Sequence, residues 1–108
     1  MQLPKIKITI VKKTLNKDLI DEFLVEEYKG MKACDKFEID QEFVINHNLA
    51  SVPEGFCEWA WADIRNDINL IASGGNILAM KEKGVAITGC SDWFRPVYFK
   101  VERLDEFI

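Results

Sequence analysis

The chain has 108 residues, 48% of them hydrophobic and 30% charged, and its 18 acidic against 14 basic side chains leave a net charge of −4. That length and balance fit a single domain spanning 1–108 that can close its own core, and they argue against disorder and against a two-domain layout. The negative charge makes a nucleic acid partner unexpected, and no apolar run approaches the roughly 20 residues of a membrane helix.

From Lys5 to Val11 the isoleucines Ile6, Ile8 and Ile10 alternate with Lys7 and Thr9, the period of two of a strand with one wet face. This start has no apolar stretch of signal-peptide character. With an odd number of cysteines it fits a reducing interior, so the expected location is cytoplasmic. Asn16 then caps an expected helix carrying Leu19, Ile20, Phe23 and Leu24 at helical spacing, with Tyr28 one turn further and Gly30 as its stop. Phe37-Glu38-Ile39 and Phe43-Val44-Ile45 read as a hairpin or two short sheet segments, although Asp40 stands where a tight turn prefers glycine.

Ser51 and Glu54 have the spacing of a capping box, a reading weakened by Gly55. The second helix, from about Phe56 to Ser73, is the clearest element. Cys57, Ala60, Trp61, Ile64, Ile68 and Ile71 fall on one stripe, and Gly74-Gly75-Asn76 ends it. Trp59 and Leu70 lie off that stripe, where a ligand pocket, a subunit contact or a second layer would cover them. Val85 to Cys90 and Val97 to Glu102 read as two further strands, entered through Lys83-Gly84 and joined through Ser91 to Pro96. The pattern predicts an α+β fold: an antiparallel sheet of about four or five strands with one main amphipathic helix and one shorter helix packed on it.

All three tryptophans and two of the three cysteines fall in two short clusters, Gly55 to Trp61 and Cys90 to Pro96. Cys57 has two readings. In the first turn of a helix, unpaired backbone N–H groups favour a thiolate; on an apolar stripe, a cysteine is an inert small hydrophobe. Cys90, Asp92 and Arg95 put a thiol, an acid and a guanidinium within six residues, a set able to orient an anion with Arg95 as anchor. The plainer alternative is an Asp92–Arg95 pair that fixes the loop. Cys34, His47, Cys57, Cys90 and Asp92 are all metal-ligand types, but none shows paired ligand spacing, so no metal site is assigned and no cofactor is indicated. A His47–Cys57 dyad would need a contact that spacing does not supply.

On these residues the chain resembles a family of small, functionally uncharacterised prokaryotic proteins. The likeness rests on the lysine-rich first strand with Asp18-Leu19, Cys34 ahead of Gln41-Glu42-Phe43, and Gly-Phe-Cys-x-Trp-Ala-Trp at Gly55 to Trp61. It continues through Gly74 to Asn76 and a closing Cys-x-Asp-x-x-Arg-Pro-Val-x-Phe from Cys90 to Phe99. The resemblance implies no activity; it gives weight to Cys57, Cys90, Asp92 and Arg95 as matching positions. The chain departs from the family pattern at Trp93 and Asp40, where glycine is usual, and at Gly89, where a second cysteine is often found.

Together these readings point to a small-molecule-binding or interaction module, with a homodimer as one form of the latter. Its expected site lies between Cys57 and the Cys90–Arg95 loop, with Trp59 and Trp93 as apolar walls and Arg95 meeting an anionic small molecule. The rival is a thiol-dependent redox or metal-binding enzyme in which Cys57 is the nucleophile, Cys90 a resolving thiol or second ligand, and Asp92 the acid–base partner.

Overall fold

The computed structural model describes residues 3–45 and 51–107. Its elements are β1 (Pro4–Lys13), α1 (Lys17–Phe23), a single 3-10 turn (Glu26–Tyr28), β2 (Glu42–Ile45), α2 (Glu58–Ala72), β3 (Val85–Gly89) and β4 (Val97–Phe107). The strands form one antiparallel sheet in the order β2-β1-β4-β3, and α2 packs across β1, β4 and β3. The fold is α+β, with four strands and two helices.

Strand alternation builds the core directly. Ile6, Ile8 and Ile10 of β1 face α2 beside Val97, Phe99 and Val101 of β4, all fully buried. The α2 stripe supplies Ala60, Trp61, Ile64, Ile68 and Ile71 from the other side, so the 3.6-residue and two-residue periods meet in one layer. One end of this core is aromatic. Phe56 lies 4.9 Å from both Phe37 and Phe43 and 5.8 Å from Trp61 between ring centroids, edge to face, which places hydrogen-rich edges against electron-rich faces.

Several boundaries differ from the sequence expectation, each for a local reason. α2 begins at Glu58 because Gly55 has φ 80° and the Phe56 N–H turns back to the Pro53 carbonyl, leaving Cys57 extended as the N-cap. Ser51 is therefore well outside the helix and caps nothing in it. α1 stops at Phe23, where Leu24 and Val25 turn extended. Only Ile20 of α1 is buried, so the exposed residues beyond it have no core to hold them helical. Phe37 to Ile39 is not a strand. Phe37 is driven into the core, and Glu38 to Gln41 form a turn tied to β1 through Asp40 N–H to the Ile10 carbonyl and Ile10 N–H to the Gln41 carbonyl. Asp40 has φ 70°, the left-handed conformation for which glycine is preferred, and aspartate is among the few other residues that tolerate it.

A bulge in β1 redirects the last residues of that strand. Ile10 pairs with Phe99 and Lys12 with Tyr98, so Val11 is the extra residue and the alternation is shifted beyond it. Lys12 then faces the outer surface, 5.8 Å from the Tyr98 ring centroid, and Lys13 is turned toward the α2 side.

Candidate functional site

At the start of α2 the sheet and helix diverge around a cleft of about 570 Å³. Four segments build it. The end of β1 contributes no lining residue, yet it positions one wall: Lys13 Nζ donates to the carbonyls of Cys34 and Phe37, each at 2.9 Å. These two bonds hold the stretch Cys34 to Phe37 against the mouth, with Phe37 joining the cleft to the aromatic core.

The second wall is the turn after β3. Cys90 N–H donates to the Val97 carbonyl at 3.0 Å, and Val97 N–H donates to Cys90 Sγ at 3.3 Å, so the sulfur caps the end of the β3–β4 ladder. Asp92 accepts at Oδ1 from the N–H groups of Phe94 (3.2 Å) and Arg95 (3.3 Å), and at Oδ2 from Arg95 Nε at 3.1 Å. The carboxylate thus closes its own turn and aims the guanidinium, whose two terminal amino groups have no partner among the described residues. Asn16 fastens the far side of the turn: its N–H donates to the Phe94 carbonyl and its Nδ2 to the Trp93 carbonyl at 2.7 Å.

The third side is α2 itself. Trp59, Asp63 and Asp67 recur at intervals of four, one ridge of the helix. Trp59 Nε1 donates to Ser91 Oγ at 2.8 Å, Ser91 N–H and Oγ both donate to Asp63 Oδ2, and Thr88 Oγ1 donates to Asp67 Oδ2 at 2.6 Å. The ridge pins the helix to β3 and to the turn. It also explains how Trp59, 66% exposed, is held in place: its indole N–H is anchored where the side chain borders the cleft.

Every residue the sequence assigns to a site, catalytic or ligand-binding, lines this one cleft: Cys57, Trp59, Cys90, Asp92, Trp93 and Arg95. Trp93 stands at the rim, 69% exposed. Cys57 is half-buried at the N-cap, one residue before the first turn expected for it, and its side chain makes no capping hydrogen bond. Both of its readings keep a footing, since the thiol packs against the core and also borders the cleft. His47 lies outside the described residues.

Sequence reasoning placed Cys34 only among scattered metal-ligand types and passed over Lys36, both of which line the cleft, and it passed over Lys13 and Asp63, which hold the walls in place. The four-residue spacing of Trp59, Asp63 and Asp67 was an available signal for the ridge. Nothing in the sequence marked the bulge that redirects Lys13. The three cysteines are free and all border the cleft, but among the described residues no three histidine, cysteine or acidic side chains gather closely enough to hold a metal ion. Among the described residues no helix is long and apolar enough to cross a membrane. No family model, curated protein or solved structure matches the chain.

Proposed function

We propose that the protein binds a small anionic molecule with an apolar body in the cleft between the start of α2 and the Cys90–Arg95 turn. The observation that carries this reading is the convergence of six residues, from two clusters separated in the chain by most of α2 and by β3, on one mainly apolar cleft. Its volume of about 570 Å³ lies within the range of small-molecule sites, roughly 300–1,000 Å³. Trp59 and Trp93 offer flat apolar surface, and Arg95 offers its two unengaged amino groups, the fork suited to a carboxylate or phosphate. Lys36 adds a second cation to the lining. The first-turn N–H groups of α2 also favour negative charge there.

The test is a panel of aromatic carboxylates and phosphate esters screened against the protein by ligand-observed NMR, repeated on Arg95→Ala. Binding should weaken by about tenfold or more in the variant, the scale of one lost charge-assisted contact. Melting should barely change, because the Asp92–Arg95 pair is more than a third exposed on both sides and such pairs contribute only about 0–1 kcal/mol. Failure of every anion to bind, or a large drop in melting temperature, would make Arg95 a structural residue and sink the reading.

A second reading keeps the cleft and changes its chemistry. Three free thiols, Cys34, Cys57 and Cys90, border one space, which favours a thiol-dependent redox role with Cys57 as nucleophile, Cys90 as resolving thiol and Asp92 as acid–base partner. Asp92 is the weakest part of it, since both of its oxygens already accept bonds within the turn. Native mass spectrometry of freshly purified protein with and without reductant separates the readings: loss of two hydrogen masses across a pair of these cysteines supports the redox role, and a bound organic mass supports the binding module. The family resemblance assigns no activity to either.

A further inference from the structure

Residues 17–29, comprising α1 and the 3-10 turn, form an arm that the body leaves bare. Phe23 is 67% exposed, Val25 61% and Tyr28 55%, three large apolar side chains within six residues. The arm leaves the sheet beyond the end of β1, and the molecule is long. Its radius of gyration is 15.4 Å, against about 13 Å for a compact chain of this length. Its 53 Å long axis exceeds the roughly 36 Å that the strand β4 can span. The arm is also acidic. Lys17 pairs with Asp21 and Lys29 with Glu26, while Asp18, Glu22 and Glu27 have no ion-pair partner among the described residues.

A second bare surface has the opposite character. α2 covers one face of the sheet, and among the described elements none packs on the other. On that outer face Lys5, Lys7, Lys12 and Lys100 outnumber Glu42, Glu102 and Glu106, the last near the end of β4. Lys7 and Lys100 are engaged with Glu42 and Glu102, whereas Lys5 and Lys12 have no carboxylate partner among the described residues. Val44 and Ile87 lie exposed at its two margins, in register with Lys7 and Lys100.

We propose that two copies of this chain pair by laying the acidic, aromatic arm of each across the basic outer sheet face of the other. The complementarity is both electrostatic and apolar: unpaired carboxylates meet unpaired lysines, and Phe23, Val25 and Tyr28 meet Val44, Ile87 and the lysine stems. A two-fold arrangement uses the contact twice, so each arm needs to supply only half of the roughly 800 Å² per partner that a standard interface buries. No residue of the arm or of the outer face lines the cleft, so the inference is independent of what the cleft binds.

Sedimentation velocity over a micromolar concentration series tests it, on the full chain and on Phe23→Asp, Lys12→Glu, Glu27→Lys and the double variant Lys12→Glu/Glu27→Lys. All three positions are exposed, and circular dichroism confirms that each variant is folded. The parent should be a dimer that loosens with salt. Phe23→Asp should be monomeric, each single reversal should raise the dimer dissociation constant by about tenfold, and the double variant should recover most of that loss. A monomeric parent, a dimer indifferent to both reversals, or a double variant no tighter than the single ones overturns the proposal.

Discussion

The two ends of α2 are finished in opposite ways. At its C-terminus three of the last four helical carbonyls, those of Asn69, Leu70 and Ile71, are taken up. Ser73, Gly74 and Gly75 turn their N–H groups back to Asn69, Ile71 and Leu70, and Arg103 of β4 places Nη1 on the carbonyls of Ile71 and Gly75 at 2.8 and 2.9 Å. Asn76 Oδ1 joins the arrangement, accepting from Arg103 Nη2 and from Gly84 N–H, so helix, turn and two strands close on one guanidinium. At the N-terminus no side chain caps the helix, and the N–H groups of Glu58, Trp59 and Ala60 have no partner among the described residues. One end stores stability and the other leaves polar groups beside a cleft, a division expected when a rigid scaffold carries a site.

That difference is broken most directly at the closed end. Arg103→Ala removes three charge-assisted hydrogen bonds and should cost about 2–3 kcal/mol, read as a lower midpoint in urea unfolding with an unchanged slope. Binding in the cleft, at the far end of the helix, should be unaffected below the transition. Gly75→Ala comes next. A Cβ there would stand 2.5 Å from Leu70 Cδ1 and 2.7 Å from the Leu70 carbonyl oxygen, which already accepts the Gly75 N–H, so relief of the clash strains that bond. A loss of about 1–2 kcal/mol is expected in the same measurement. Alanine at Gly74, whose φ is 92° but whose surroundings are open, isolates backbone strain, and a loss there larger than at Gly75 would show that strain and not the contact with Leu70 dominates this end.

The closed end was only half legible in the sequence. Gly74-Gly75-Asn76 announces a helix stop by local rules, but Arg103 reads as one more polar residue in a strand. Its partners lie 27 to 32 positions away, a separation that no periodicity encodes. The open end was more visible, because large rings and thiols concentrated in two clusters are conspicuous and the apolar stripe of α2 fixes where Cys57 and Trp59 point. The place of Cys34 and Lys36 at the cleft was not legible because it depends on Lys13, and Lys13 depends on a one-residue bulge that reverses strand alternation. The overextended first helix fails for a related reason: Leu24 and Tyr28 have helical spacing, but helical spacing stabilises a helix only where there is a surface for its apolar face to cover.

On the open side, Trp59→Phe keeps most of the ring and removes the indole N–H that reaches Ser91. Ser91 retains Asp63, so the expected loss is small, about 0.5–1 kcal/mol. Hydrogen exchange at the Ser91–Arg95 amides should quicken more than exchange in β4. Uniform quickening would mean that the ridge along α2 supports the whole sheet and not the turn alone.

The smallest effect carries the most information. Cys57 sits at the N-cap with φ −74° and ψ 124°, the extended geometry from which a serine oxygen bonds the N–H of the second or third helical residue. Cys57→Ser therefore installs the cap that α2 lacks, a gain of about 0.5–1 kcal/mol, against the loss of a half-buried sulfur that packs on the core. The two nearly cancel, so the melting temperature should stay within a few degrees of the parent. If this end of the helix is built around the cleft, the serine should alter what the cleft binds or how its thiols react, because its hydroxyl satisfies an N–H group that otherwise favours an anion. A clear fall in stability with unchanged anion binding and unchanged thiol reactivity at Cys34 and Cys90 would assign Cys57 to packing, and the two ends of α2 would then differ in geometry but not in purpose.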